Sequence, residues 1–222
     1  MKQYLSVLTL LAHSSIYKIC ILFAAIAAVH SLFLSVWIDR PLVTMAVFAA
    51  ELGVLVWILV RNWTEGASHQ SYTIQRLPIT EKEIIRIRAA YNLLCLLLFW
   101  GVQLIAAYIF YKRTVTGSQA LFLEFTGSGH LHSLMPGADW LSWIKNITIL
   151  TSLATVTTMQ PIWLRVSGKK DNWVLVLTVV LTGIAFSLGV EDVSQKALYI
   201  FWSVYLPFIL RRDMKKKEAE TP

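Results

Sequence analysis

Charged side chains are scarce in this chain. Only 15% of its 222 residues are Asp, Glu, Lys or Arg, whereas 56% are hydrophobic. A soluble domain of this length needs far more charge to cover its surface, so the composition excludes a soluble globular protein. We therefore expect an integral membrane protein.

Cysteine and acidic residues are also few. The two cysteines, Cys20 and Cys95, fall within apolar segments, so they imply no disulfide framework. Lys and Arg number 20 against 13 Asp and Glu, which gives a formal net charge of +7. Basic residues collect on the cytoplasmic side of membrane proteins, which accounts for this excess, so we expect no nucleic-acid partner.

A phosphate-binding loop of the form Gly-x-x-x-x-Gly-Lys-Ser/Thr is missing. The nearest segment, residues 167–170, lacks the first glycine and the final hydroxyl residue. We therefore expect no ATP hydrolysis, no catalytic residues and no cofactor in this chain.

Long apolar segments dominate what is present. A helix crosses a hydrocarbon core of about 30 Å with about 20 residues. Five segments meet this requirement, and a shorter one, 198–210, meets it when extended back to Val193. The sequence predicts an all-α fold with six transmembrane helices in a single domain, 1–222. The five stronger predicted spans are 19–37, 41–60, 89–111, 147–164 and 173–190.

The distribution of basic residues predicts the orientation. Lys and Arg near span ends are retained on the cytoplasmic side. With six spans and a cytoplasmic N-terminus, 15 of the 20 basic residues are cytoplasmic and five lie outside. We therefore predict a multi-pass plasma-membrane protein with both termini in the cytoplasm. The five outer residues are Arg40, Lys112, Arg113, Lys145 and Lys196.

The N-terminal residues 1–18 are amphipathic. Tyr4, Val7, Leu8 and Leu11 recur at helical spacing, with polar residues between them. This pattern predicts an interfacial helix on the inner membrane surface before the first span. An extension of the first span is the alternative.

A polar segment, 62–88, separates the second and third predicted spans. Thr80 and Glu83 form a capping-box pattern, in which each side chain satisfies a backbone N–H at the start of a helix. Pro78 disfavours a helical conformation at Leu77. The pattern predicts a helix that begins at Glu81 and runs into the third span.

The same segment carries a family resemblance. Its sequence Arg-Leu-Pro-Ile-Thr-Glu-Lys-Glu-Ile, between the second and third of six spans, resembles the permeases of ABC-2 type ABC transporters. The predicted six-span topology and the predicted cytoplasmic ends also resemble those of this family, so the resemblance covers the whole chain. The resemblance implies that this loop is a coupling helix seated in a groove of an ATP-binding subunit. The implied contacts are Arg76, Leu77, Pro78, Ile79, Thr80, Glu81, Lys82, Glu83 and Ile84.

The resemblance also implies the function and the partners. It implies an exporter subunit that moves a peptide or hydrophobic small molecule out of the cell. Two copies of a separate ATPase, which bind ATP and Mg²⁺, would drive a pair of permeases in the lipid bilayer. The second permease is either identical or a related subunit. A membrane-embedded metal-dependent hydrolase and a non-transporting accessory subunit are the alternatives.

Polar residues inside predicted spans are further candidates for a function. Glu51 lies about 15 Å into the second span and His30 about 17 Å into the first, so their depths match. Pairing would keep both groups away from lipid, where an unpaired polar group costs several kcal/mol. We predict a His30–Glu51 contact, which serves either the transport path or the structure. Thr151 and Thr155, in a hydroxyl-rich fourth span, serve either helix packing or the path.

The predicted outer loop, 113–140, offers the ligands of the hydrolase alternative. His130 and His132 are expected to be exposed, and Glu124 or Asp139 would supply a third ligand. Such spacing is weak evidence, so we predict no metal site. The apolar residues 131–135 are expected to lie against the outer membrane face as a lid.

Overall fold

The computed structural model describes residues 2–37, 40–65, 80–114, 129–137, 139–167, 172–187 and 192–220. Within these ranges every regular element is an α-helix, so the fold is all-α as predicted. Seven helices are described: α1 (Lys2–Trp37), α2 (Pro41–Glu65), α3 (Glu81–Thr114), α4 (Gly129–Leu134), α5 (Trp140–Ser167), α6 (Trp173–Ser187) and α7 (Val193–Glu220).

Five of these helices are long and apolar enough to cross a membrane. Their apolar segments leave many side chains exposed on the outside of the bundle, as lipid-facing residues are. The chain is therefore built as a multi-pass membrane protein. The five candidate spans are Ser15–Leu32, Leu42–Arg61, Lys82–Phe110, Trp140–Leu164 and Val193–Met214.

Of the last two predicted spans, the one with the weaker sequence signal forms the longer helix. The weaker prediction forms α7, which begins at Val193, where Asp192 caps the helix by accepting a hydrogen bond from the Ser194 backbone N–H at 3.3 Å. The stronger prediction, 173–190, forms α6, which has only 15 residues. At about 1.5 Å per residue, α6 is about 22 Å long, which is shorter than the hydrocarbon core.

The described N-terminal residues are helical and continuous with the first candidate span. α1 is continuous over 36 residues, and no Gly or Pro interrupts it. Val7 and Ser15 are fully buried against neighbouring helices, and α1 packs along α3. Residues 2–14 therefore precede the first candidate span without a break in the helix, and their position at the inner membrane surface stays a prediction.

The core lies between α1, α2, α3, α5 and α6, and aromatic rings fill its centre. The Phe48 ring centroid lies 5.4 Å from that of Phe99 and 5.6 Å from that of Phe186. Leu131 and Leu134 of α4 are buried in the same core, with at most 1% exposure. The prediction that residues 131–135 lie on the membrane face is therefore wrong for these two, because α4 packs against α6 and α3.

The helices α2 and α6 approach each other closely at Gly183. A Cβ atom added at Gly183 would lie 3.0 Å from Ala49 Cβ, so the small residues allow the two backbones to approach. α5 packs along α7 and contains Pro161. The helix continues to Ser167, so Pro161 does not end it.

Candidate functional site

The start of α3 has the predicted capping box. The Thr80 backbone N–H donates to Glu83 Oε2 at 3.1 Å, and the Glu83 N–H donates to Thr80 Oγ1 at 3.4 Å. The Thr80 hydroxyl donates to the same carboxylate at 3.0 Å. The capping box and the helix start at Glu81 are confirmed. The reciprocal bonds satisfy backbone donors that the first turn leaves unpaired.

The structure describes part of the predicted coupling segment. Arg76, Leu77, Pro78 and Ile79 lie outside the described residues. Beyond the cap, Lys82 is exposed and Ile84 is buried, so this first turn presents one polar and one packed face. α2 ends at Glu65. Residues 76–84, the predicted coupling segment, therefore lie in the chain between two of the long apolar helices and include the first turn of the second.

A polar cluster lies between α1, α2 and α3. His30 Nε2 lies 2.9 Å from Glu51 Oε1 and 3.1 Å from Glu51 Oε2, so the predicted His30–Glu51 contact is confirmed. Gln103 Nε2 donates to Glu51 Oε2 at 2.6 Å. One carboxylate therefore joins three helices.

The cluster is nearly enclosed. His30 and Gln103 are buried, while the Glu51 side chain keeps 14% exposure. In a low-dielectric interior the carboxylate interacts strongly with these neighbours. Such a group is chemically able to attract a cationic or hydrogen-bond-donating part of a solute.

Gln103 was not predicted from the sequence. It lies within the third candidate span, and an amide there has the same need for a partner as Glu51 and His30. Its position inside a span was the sequence signal that could have indicated a buried polar contact. Gln103 Oε1 is buried and has no hydrogen-bond partner among the described residues.

The structure does not bond Thr151 or Thr155 to the His30–Glu51–Gln103 cluster. The Thr151 hydroxyl donates to Ile147 O and the Thr155 hydroxyl to Thr151 O, both at 2.8 Å within α5. Thr151 is exposed and Thr155 is half-buried. Other polar residues in this part of α5 are buried, namely Ser152, Thr157, Thr158 and Gln160.

His130 is buried, contrary to the prediction that it is exposed. Its side chain retains 4% exposure, and Nδ1 lies 2.8 Å from Phe186 O at the end of α6. Burial lowers the pKa of His130 to about 4 because the charged imidazolium is poorly solvated, and nearby His30 adds to this effect. His130 therefore acts as a neutral helix-packing residue.

No metal-binding group of three His, Cys, Asp or Glu occurs among the described residues. Glu124 lies outside them, and His132 is half-buried. Asp139 is used otherwise: it accepts hydrogen bonds from Lys196 and, at 2.6 Å, from the Ser142 hydroxyl. The Lys196 bond and then the Ser142 bond hold the pKa of Asp139 below its usual range.

Lys145 and Asn146 complete this polar end of the bundle. Lys145 Nζ donates to Ala185 O at 3.2 Å, and Asn146 Nδ2 donates to Ser133 O at 2.8 Å. Ala185 lies in the last turn of α6, where a positive charge complements the helix dipole. These side chains therefore hold the ends of α4 and α6 against α5.

Comparison of the chain with protein-family models, with curated proteins and with solved structures returns no match.

Proposed function

We propose that this chain is the permease subunit of an ATP-driven exporter of the ABC-2 type. In this proposal it spans the membrane six times, with both termini cytoplasmic, and moves a peptide or hydrophobic small molecule outward. A separate ATP-binding subunit, present in two copies, docks on residues 76–84. A second permease, identical or related, completes the path.

The capped start of α3 is the observation that carries the proposal. The cap fixes where the helix begins, and α3 then continues for 34 residues without a proline. At about 1.5 Å per residue it is about 51 Å long. A displacement of Thr80 would therefore reach the membrane-spanning part of the same rigid element. This is the mechanical property that docking on an external motor requires.

The basic residues support the proposed orientation. Arg61, near the end of α2, and Lys82, in the first turn of α3, are exposed, and Arg61 stacks on Trp57 with its guanidinium carbon 4.7 Å from the ring centroid. Retention of such residues in the cytoplasm would place residues 76–84 on the side where ATP is available.

The His30–Glu51–Gln103 cluster supplies a polar station for the proposed path. Glu51 supplies the carboxylate of this cluster and is partly exposed, and its partners come from two other helices. Movement of α3 relative to α1 and α2 would change how completely the carboxylate is satisfied. A transported molecule with a hydrogen-bond donor would compete for it.

The test of docking is recovery of the ATP-binding subunit with tagged variants. Leu77→Asp and Pro78→Ala should reduce recovery of the ATPase at least tenfold, because they alter the proposed contact. Met135→Asp is the matched control, since Met135 is exposed and lies outside residues 76–84. Equal recovery with wild type and both docking variants would contradict the proposal.

A further inference from the structure

α3 is connected to three other helices by polar side chains within little more than one turn. Arg88 Nη2 donates to Leu59 O of α2 at 3.3 Å. The hydroxyl oxygens of Tyr91 and Ser15 of α1 lie 2.6 Å apart. Asn92 Nδ2 donates to Thr158 Oγ1 of α5 at 2.9 Å.

All three residues of α3 are buried. Arg88 is 3% exposed, Tyr91 8% and Asn92 1%. They lie seven to 11 positions after Glu81, which is about 10 to 16 Å along the helix. The cluster therefore stands between the capped start of α3 and the Gln103 contact with Glu51.

Hydrogen bonds differ from apolar packing in how they respond to sliding. Apolar side chains keep most of their contact area when one helix shifts slightly, because dispersion contacts have no direction. A hydrogen bond requires a defined distance and angle, and breaking it leaves a buried polar group unsatisfied. Directional bonds therefore keep adjacent helices in one relative position.

We propose that Arg88, Tyr91 and Asn92 form a transmission hub, here called the α3 hub. Arg88 couples α3 to α2, Tyr91 couples it to α1, and Asn92 anchors it to α5 at the same level. The hub rests on the proposed function, because the displacement that it distributes is delivered by the docked ATPase. It adds the route by which one displaced helix moves its neighbours.

The route reaches the polar station. α1 carries His30 and α2 carries Glu51, while α3 carries both the hub and Gln103. Motion passed through Tyr91 and Arg88 would therefore act on the helices whose side chains meet at Glu51. Weakening a single hub contact should uncouple one helix and leave the others coupled.

The experiment measures distances by spin labelling of the full chain in lipid nanodiscs with its co-purified ATPase. The background is Cys20→Ser with Cys95→Ala. Labels replace the exposed residues Arg86 of α3 and Tyr17 of α1, each paired with a label at exposed Val204 of α7. Distances are compared between the nucleotide-free state and ATP with vanadate.

A matched pair of variants isolates the α1 arm of the hub. Tyr91→Phe removes the hydroxyl that meets Ser15, and Ser15→Ala removes its partner; the neighbouring Cys95 is already alanine in every variant compared. Tyr108→Phe makes the same change on an exposed ring of α3. We expect Tyr91→Phe and Ser15→Ala to reduce the nucleotide-dependent change at Tyr17 by more than half while the change at Arg86 persists. Tyr108→Phe should leave both changes as in wild type.

The α2 arm is tested in the same way. A label at exposed Val54 of α2 reports its motion, and Arg88→Met removes the donor to Leu59 while keeping an unbranched side chain. In Arg88→Met, the nucleotide-dependent change in the distance measured from the Val54 label should fall by more than half. If the Tyr17 change survives both Tyr91→Phe and Ser15→Ala, the hub is wrong although docking stands. If Arg86 does not respond to nucleotide in wild type, the proposed function and the hub both fail.

Discussion

Several buried polar residues in this protein are stabilised by partners on other helices. Glu51 meets His30 and Gln103, and Asn92 meets Thr158. Each group would be costly to leave unpaired in an apolar interior. Matching depth predicted the His30–Glu51 contact, whereas Gln103 had no sequence neighbour that indicated its partner.

His130 gives the clearest expectation for pH dependence. Its folded pKa is about 4, below the unfolded value of about 6.5, so the folded state favours the neutral ring. Its contribution is fully present above about pH 6.5 and is lost as the pH falls towards 4. Between pH 7.5 and pH 5, this group should lower the free energy of unfolding by about 2 kcal/mol.

Unfolding of wild type and His130→Gln in detergent micelles at both pH values checks this expectation. The Gln amide can donate to Phe186 O but does not titrate in this range, so the variant should lose less stability on acidification. His13→Gln, at an exposed position of α1, is the control and should behave as wild type. An identical acid-induced loss in His130→Gln and wild type would rule out this role.

Among the helices, close approach depends on small residues at particular positions. Gly183 of α6 faces Ala49 of α2, and an added Cβ would lie within 3.0 Å of the Ala49 Cβ. Periodicity of hydrophobic residues predicted both helices but not which faces would meet. The partner of a small residue depends on how two distant segments pack.

We expect Gly183→Val to separate α2 from α6, because its branched side chain has no room beside Ala49. Overpacking of this kind typically costs about 1–3 kcal/mol. The measurement is the midpoint of thermal unfolding in detergent, which should fall. Gly101→Ala is the control, because nothing lies within 4 Å of an added Cβ there. A midpoint unchanged by Gly183→Val would contradict this packing.

The whole bundle raises the question of how α6 is placed in the bilayer. With 15 residues it is shorter than a typical span, but six crossings require it to pass from one side to the other. Basic residues support an even number of crossings, since the basic end of α7 would then be cytoplasmic. Local thinning of the bilayer accommodates a short hydrophobic helix at modest cost.

Cysteine labelling in intact cells distinguishes six crossings from five. In a background without Cys20 and Cys95, Gln195→Cys should react with a membrane-impermeant maleimide, whereas Trp173→Cys should be protected until the cells are opened. Both positions are exposed in the bundle. Met135→Cys and Arg86→Cys serve as the outer and inner references. Equal reactivity of Trp173→Cys and Gln195→Cys would mean that α6 does not cross.

Features that depend on neighbouring residues in the chain were predictable here. Hydropathy indicated the membrane class and most long helices, because burial in lipid depends on contiguous apolar length. The Thr80–Glu83 cap followed from spacing, because its hydrogen bonds join residues within one turn. The amphipathic residues 1–18 fit both an interfacial helix and a span extension, because local periodicity does not specify depth in the membrane.

Contacts between distant segments were decided by packing. His130 is buried because α4 enters the core beside α6, and Arg88, Tyr91 and Asn92 reach three helices because α3 lies among them. Composition and local period carry no information about which helix stands beside which. Residues far apart in the chain find their hydrogen-bond partners only when apolar packing has brought their helices together.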